Sequence, residues 1–188
     1  AVDSVGDRVT RVRTDGGDVT GDLYVLSLGS YSPRLAGVGE RLPVYPIKGY
    51  SLTLPIDGAN NPPTVGGIDE DTLCAYVRLG DRLRATSVAE FAGYDTSHRP
   101  ADFAHIIRSM RELLPNAADY RRPQYWACLR PMTPAGTPIL GRGRYRNLYY
   151  NTGHGHMGWT MACGTARITA DLIAGRKPDL PLDGLTLR

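Results

Sequence analysis

The chain has 188 residues, of which 41% are apolar and 22% charged, and its formal net charge is only +3. This length is enough for a buried core, and the composition is ordinary for a globular domain. Twenty of the 22 basic residues are arginines spread along the chain, so no basic block favours nucleic acid or an anionic lipid surface as a partner.

The first residues carry no pattern of a signal peptide and resemble a strand from the middle of a domain. No apolar run approaches the roughly 18 residues that a membrane-spanning helix requires. The three cysteines, Cys74, Cys128 and Cys163, are widely spaced and odd in number. This spacing argues against a disulfide framework or a zinc ribbon and favours a reducing, cytoplasmic compartment.

The first forty residues alternate strand and turn signals. A β-hairpin is predicted from residues 9–12 and 18–20, with its turn at Asp15-Gly16-Gly17. The apolar run 23–28 is typical of a strand buried on both faces, as in a parallel sheet. Ser32-Pro33 then predicts the start of a short helix that ends near Gly37 to Gly39.

The middle of the chain has a different pattern, with alternating strands and one amphipathic helix. The predicted elements are a strand at 44–54, a loop at 57–63, strands at 73–78 and 83–89, a helix at 100–114 and a strand at 125–129.

The C-terminal third begins with a rigid, turn-rich segment at 130–141 and a buried strand at 148–150. A glycine-rich loop at 152–158 leads into a helix at 159–174, which Gly175 caps. Residues from 179 onward are rich in proline and predict a loose tail. The ends of the chain therefore look like an α/β layer, and the middle looks like an antiparallel domain inserted into it.

The strongest chemical signal is the loop NTGHGHMGWT at 151–160. Its glycines let the backbone pass close to a ligand, and the helix start presents N–H groups to an anion. The alternative is a plain tight turn between strand and helix, since the acidic ribose-binding residue expected about 20 residues later is missing. His154 and His156 have no third ligand at a convincing spacing, so we expect no metal site and interpret them as packed within the loop.

Arg130 follows an apolar strand and precedes Pro131, a position from which it could hold a carboxylate through two hydrogen bonds. The alternative is an ordinary surface arginine. Tyr50 lies where a strand passes between the two kinds of material and is a weaker candidate for a residue facing a cleft. Cys128 is either a small buried residue or a reactive thiol.

Four segments, taken together and in this order, resemble the D-amino acid oxidase and dehydrogenase superfamily, and within it the small chain of bacterial D-amino acid dehydrogenases. They are YVLSLGSYSPRL, LPVYPIKGYSLTLPI, YWACLRPMTPAGTPILGR and LYYNTGHGHMGWTMACGTARITADLIAGRKP. The last two are the specific ones, and YPIKGYS points to the dehydrogenases.

The resemblance implies a mixed α+β and α/β fold, in which part of a FAD-binding α/β domain carries an inserted antiparallel substrate domain with a helix. Its implied domains are 1–42, part of the FAD-binding domain; 43–127, the substrate domain; and 128–188, the return to the FAD-binding domain with the C-terminal tail. Arg130 matches the arginine that holds the substrate carboxylate, and Tyr50 would be a second substrate contact. The implied FAD-binding residues are Gly29, Ser30, Gly153, His154, Gly155, His156, Met157, Gly158, Trp159 and Thr160.

The implied reaction is oxidative deamination of a D-amino acid to a 2-oxo acid and ammonia, with hydride transfer to FAD. Electrons would pass to a respiratory-chain acceptor, and the full-length protein would associate peripherally with the cytoplasmic face of the inner membrane. A glycine- or sarcosine-type amine oxidase that uses O₂ is the alternative enzyme. Relatives that oxidise N-methyl amino acids attach flavin through a cysteine at the position of Cys128.

Two departures from the family pattern stand out. Ala135 replaces a frequent Asp in the turn after Thr133-Pro134. The N-terminal unit with its GxGxxG, which cradles the pyrophosphate of FAD, is absent. We therefore expect a fragment that holds half of the cofactor site, is inactive alone, and at most serves as a binding module.

Overall fold

A computed structural model describes residues 1–35 and 37–187. The chain divides into two compact units: Ala1–Pro46 with Arg130–Arg188, and Ile47–Leu129. One continuous segment is thus inserted between the two stretches of the first unit. The predicted boundaries, at 42/43 and 127/128, lie a few residues before those of the units.

The described strands are, in chain order, β1 (Val2–Val5), β2 (Arg8–Thr14), β3 (Gly17–Val19), β4 (Tyr24–Leu26), β5 (Tyr45–Pro55), β6 (Gly67–Asp69), β7 (Cys74–Leu79), β8 (Arg82–Glu90), β9 (Gln124–Met132), β10 (Ile139–Arg142) and β11 (Leu148–Thr152). The helices are α1 (Ala104–Leu113) and α2 (Gly158–Ile173), with 3₁₀ helices at Gly29–Arg34 and Pro100–Phe103. No helix of the described residues is long and apolar enough to cross a membrane.

The first unit contains two small sheets. One has the order β1-β2-β3 and is antiparallel, and the other has the order β10-β11-β4. In the second sheet β11 runs antiparallel to β10 and parallel to β4, and α2 packs against β10 and β11. Asn147 connects the two sheets, because its buried amide exchanges two hydrogen bonds of 2.9 Å with the backbone of Val9.

The prediction that residues 23–28 form a strand buried on both faces is wrong. The strand covers only Tyr24–Leu26, and Leu26 is 4% exposed whereas Val25 is 48% exposed. Successive side chains of a strand point to opposite faces. Leu26 therefore faces the core, whereas Val25 lies on the face of this edge strand that the described residues leave uncovered.

Three further local expectations require correction. The helix predicted from Ser32 begins earlier, at Gly29, whose φ of +54° turns the chain directly after β4. Segment 130–141 is not all turn, because β9 extends to Met132 and β10 begins at Ile139. The tail is held rather than loose, since Leu185 C=O accepts a 2.6 Å hydrogen bond from Leu140 N–H.

The second unit is a five-stranded sheet in the order β6-β7-β8-β5-β9, with α1 packed on one face. The buried side chains alternate along β5 and β8, as the sequence pattern predicts. Opposite a bulge in β5 between Lys48 and Tyr50, Val88 of β8 has a φ of +67°. The core consists of one face of the sheet and the apolar side of α1, with Leu52, Leu54, Leu83, Ala85, Phe103, Ile106 and Met110 all 0% exposed.

Candidate active site

The parallel pairing of β4 with β11 creates the candidate site of the first unit. The carboxyl ends of parallel strands lie at the same edge of a sheet, where α/β proteins commonly bind ligands. The 3₁₀ helix Gly29–Arg34 follows β4, and the loop 153–157 with helix α2 follows β11. The fold therefore brings together two of the segments that the sequence predicts to bind a cofactor.

A buried hydroxyl pair holds these two segments together. Ser32 Oγ and Thr152 Oγ1 are 2.7 Å apart, and Thr152 Oγ1 also donates to Gly29 C=O at 3.3 Å. Ser32 and Thr152 are both nearly inaccessible to solvent, and Ser30 is 5% exposed. The hydrogen bonds fix the turn at Gly29 relative to the end of β11.

The glycine-rich loop packs tightly on the segment that follows Arg130. Gly155 N–H donates to Pro131 C=O at 2.9 Å. Gly153 and Gly155 have φ angles of +75° and +58°, and a Cβ at these positions would lie 2.7 Å from Thr133 Cγ2 and 3.0 Å from Met132 Sδ. Both glycines are thus required by the backbone and by close packing within the protein, which accounts for part of the motif without a ligand.

Arg130 lies near the end of β9, and its backbone adjoins both of the segments above. The ring of Pro131 would be 3.8 Å from a Cβ at Gly29, while the Pro131 carbonyl accepts from Gly155. Arg130 is half-buried, and this burial lowers the pKa of its guanidinium. A guanidinium nevertheless stays protonated in proteins, so Arg130 brings a partly desolvated positive charge to this edge of the sheet.

The N-terminus of α2 begins beside this loop without a side-chain cap. Met157 at the N-cap makes no capping hydrogen bond, and no acidic residue lies in the first turn. The first N–H groups of a helix have no partner within the helix and carry a partial positive charge. Trp159 is 96% exposed and Met157 42% exposed, so the start of α2 is open to a ligand.

Asn151 is a polar residue of the site that the sequence analysis did not single out. Its Oδ1 is buried and has no hydrogen-bond partner among the described residues. A buried acceptor without a donor is costly, and such atoms are normally satisfied by a ligand or a water molecule. Its position two residues before Gly153 was the available signal, since the residue type alone indicates nothing.

The two histidines of the loop differ in their environment. His154 Nε2 is 3.1 Å from Thr165 Oγ1 on α2, and burial lowers the pKa of His154. This side chain packs against the helix, as the sequence analysis expects for a histidine of this loop. His156 is exposed. Between residues 1–35 and 37–187, no group of three or more His, Cys, Asp or Glu side chains could hold a metal ion.

Tyr50 belongs to the second unit and is described within it. It is 5% exposed, its hydroxyl donates to Glu90, and its ring meets the edge of Phe103 with centroids 5.3 Å apart. Burial, followed by the hydrogen bond to Glu90, raises the pKa of Tyr50. A substrate contact at Tyr50 stays a prediction. Cys128 is exposed, and flavin attachment there also stays a prediction.

Comparison with known proteins places this geometry in a family. Residues 1–172 match the family described as FAD dependent oxidoreductase. The chain is 52% identical over 185 residues to D-amino acid dehydrogenase 2 of Mesorhizobium japonicum, covering 98% of this chain and 44% of that protein. It is 46% identical over 188 residues to D-amino acid dehydrogenase of Rhizorhabdus wittichii, covering 100% of this chain and 45% of that protein.

Solved structures share the fold. Glycine oxidase from Geobacillus kaustophilus superposes with a TM-score of 0.86 at 24% identity, over 100% of this chain and 50% of that one. Iminodiacetate oxidase from Chelativorans superposes with a TM-score of 0.80 at 22% identity, over 97% of this chain and 53% of that one. These likenesses confirm the predicted fold class. The chain spans less than half the length of the dehydrogenases it matches, and it belongs to the FAD dependent oxidoreductase family.

Proposed function

We propose that the full-length protein carrying this chain is a D-amino acid dehydrogenase that uses FAD. The observation that carries the proposal is the meeting of three segments at one edge of a sheet: the turn at Gly29, the segment at Arg130-Pro131 and the loop 153–157. Relatives about half identical over nearly the whole chain are named D-amino acid dehydrogenases, which supports this substrate class.

The residues present fit FAD on two observations. Asn151 Oδ1 is a buried acceptor that a donor group of a ligand would satisfy. The uncapped start of α2 presents N–H groups and a partial positive charge, which suit a ring that gains electron density. The residues that would hold the cofactor are Gly29, Ser30, Gly153, His154, Gly155, His156, Met157, Gly158, Trp159 and Thr160.

FAD, when bound, supplies the acceptor for the hydride that leaves the substrate Cα. The chain's own part is to bind and orient the substrate. Arg130 would hold the carboxylate through two parallel hydrogen bonds and so fix the position of Cα. No side-chain base is required if the amine binds in its neutral form. The resulting imino acid is hydrolysed by water to a 2-oxo acid and ammonia.

The electron acceptor and the cellular site are part of the proposal. Electrons would pass to a respiratory-chain acceptor, with the full-length protein peripheral on the cytoplasmic face of the inner membrane. An amine oxidase would instead use O₂. The two are distinguished by the rate at which the reduced full-length protein reoxidises in air, which is slow for a dehydrogenase.

The chain alone is proposed to be inactive, because it spans 44% of the relative's length. A role purely as a binding module is the competing interpretation for the isolated polypeptide. Oxidation of a D-amino acid by the isolated chain with added FAD would contradict both.

Arg130 provides the test of the substrate site. In the full-length protein we expect Arg130→Met to lower kcat/KM for D-alanine about 100-fold, because a partly desolvated charge–carboxylate pair is lost. Arg130→Lys should fall in between, since an ammonium lacks the planar fork. The measurement is steady-state kinetics with an artificial electron acceptor, together with the bound flavin content.

Arg142→Met is the matched control, because Arg142 is an exposed arginine on the neighbouring strand β10. It should leave kcat/KM unchanged. An Arg130→Met protein with full flavin content and normal kcat/KM would show that Arg130 does not bind the substrate.

A further inference from the structure

The sheet of the second unit has one face covered by α1 and an opposite face that carries Arg84. Leu83 and Ala85 of β8 are both 0% exposed and belong to the core beneath α1. Neighbouring side chains of a strand point to opposite faces, so Arg84 points away from this core. It lies in the middle of β8, directly opposite Thr53 of β5.

Arg84 is held in place by side chains from two neighbouring strands. Its Nη2 donates to Ser51 Oγ at 2.8 Å, and its Nη1 donates to Thr53 Oγ1 at 3.3 Å. Its guanidinium carbon lies 5.1 Å from the centroid of the Trp126 ring on β9. Two hydroxyls and an aromatic face thus fix the orientation of the guanidinium before any ligand binds.

The charge of Arg84 lacks a carboxylate partner. Across the described ranges, its contacts are the two hydroxyls and the indole, and none is an ion pair. By contrast, its neighbour Arg82 on the same strand lies 3.7 Å from Asp81. A guanidinium has more N–H donors than the two that these hydroxyls accept, so Arg84 keeps donors for a further acceptor.

We propose that Arg84, with Thr53 and Trp126, forms a binding site for the carboxylate of a small molecule. A guanidinium forms parallel hydrogen bonds with a planar carboxylate, and Trp126, which is 51% exposed, offers an aromatic face beside it. Thr53 accepts from Arg84 through its oxygen, so its hydroxyl proton remains available to the ligand. A single cation matches one negative charge, which favours a carboxylate over a phosphate.

This inference goes beyond the proposed function. It concerns a residue other than Arg130, and it stands whether or not the full-length protein oxidises D-amino acids. The ligand class comprises amino acids and 2-oxo acids, which carry a planar carboxylate.

The test is titration of the full-length protein with pyruvate by isothermal calorimetry. The protein carries Arg130→Met throughout, so that the proposed substrate arginine contributes nothing. Adding Arg84→Met should weaken pyruvate binding by about tenfold or more, because a charge-assisted pair of hydrogen bonds is lost. Adding Arg84→Lys should weaken binding less, since the charge remains without the planar fork.

Arg82→Met is the matched control and should leave the pyruvate Kd unchanged. Equal Kd values for the Arg84→Met and Arg82→Met proteins would overturn the proposal. So would a protein with Arg84 intact that binds no pyruvate but loses thermal stability on Arg84→Met. That result would mean that an acidic side chain from elsewhere in the full-length polypeptide already occupies the site. Loss of D-amino acid oxidation alone would bear on the proposed function and leave this inference standing.

Discussion

At the scale of single residues, Lys48 is the best example of a charge that the fold has fully accommodated. It is 3% exposed, and its ammonium donates to the Ser97 carbonyl and lies 3.4 Å from Asp95 and 3.8 Å from Glu90. Burial acts to lower the pKa of Lys48, but hydrogen bonds and charge attraction from Tyr50 and Asp95 outweigh it and the pKa is raised. Lys48 therefore stays charged and attaches the segment after β8 to β5.

Removing this charge should destabilise the second unit. We expect Lys48→Met to lower the free energy of unfolding by about 1–3 kcal/mol, because buried polar partners lose their donor while the half-exposed carboxylates regain water. Lys177→Met is the control, since Lys177 is the other lysine of the chain and is exposed. It should change stability by less than about 0.5 kcal/mol. Urea unfolding followed by circular dichroism measures both, and equal midpoints would refute this account of Lys48.

At the scale of elements, the loop between β11 and α2 shows how packing and ligand binding place different demands on one motif. Gly155 requires a left-handed backbone and lies against Met132, whereas a Cβ added at Gly164 within α2 would have no heavy atom within 4 Å. The two glycines thus lie close in sequence but under opposite constraints. Conformation, rather than residue type, decides which glycine can be replaced.

These constraints predict opposite effects for the same substitution. Gly155→Ala should lower stability by about 1–2 kcal/mol through its backbone conformation, and should also weaken FAD binding in the full-length protein. Gly164→Ala should raise stability by up to about 1 kcal/mol, because alanine is the better helix former. Thermal melting and flavin retention on gel filtration test both variants. Unaltered stability and flavin retention in Gly155→Ala would contradict the description of this loop.

The sequence predicted the periodic elements well because burial repeats along them. The core alternation of β8 and the apolar face of α1 follow directly from this rule. It failed where long-range contacts decide the structure: Ser32, predicted as a helix cap, bonds Thr152 instead. At the site, the glycine loop and Arg130 were visible as motifs, whereas Asn151 and Arg84 became candidates only through their partners or lack of them.

At the scale of the whole molecule, the chain is built from two units, and the first of these needs both ends of the sequence. Strands β4 and β11, which form the candidate site, come from stretches separated by the inserted segment Ile47–Leu129. The proposed cofactor residues likewise come from both stretches. Folding of the first unit must therefore precede or accompany formation of the site, and a cut within the inserted segment should leave the site intact only while the first unit still assembles.

The central claim is that these residues belong to a flavoenzyme that oxidises D-amino acids, and the visible absorption spectrum of the full-length protein under anaerobic conditions tests it most directly. We predict flavin bands in the purified protein that bleach on addition of D-alanine and persist with L-alanine. Bands that D-alanine leaves unchanged, or that both enantiomers bleach alike, would contradict the proposed function.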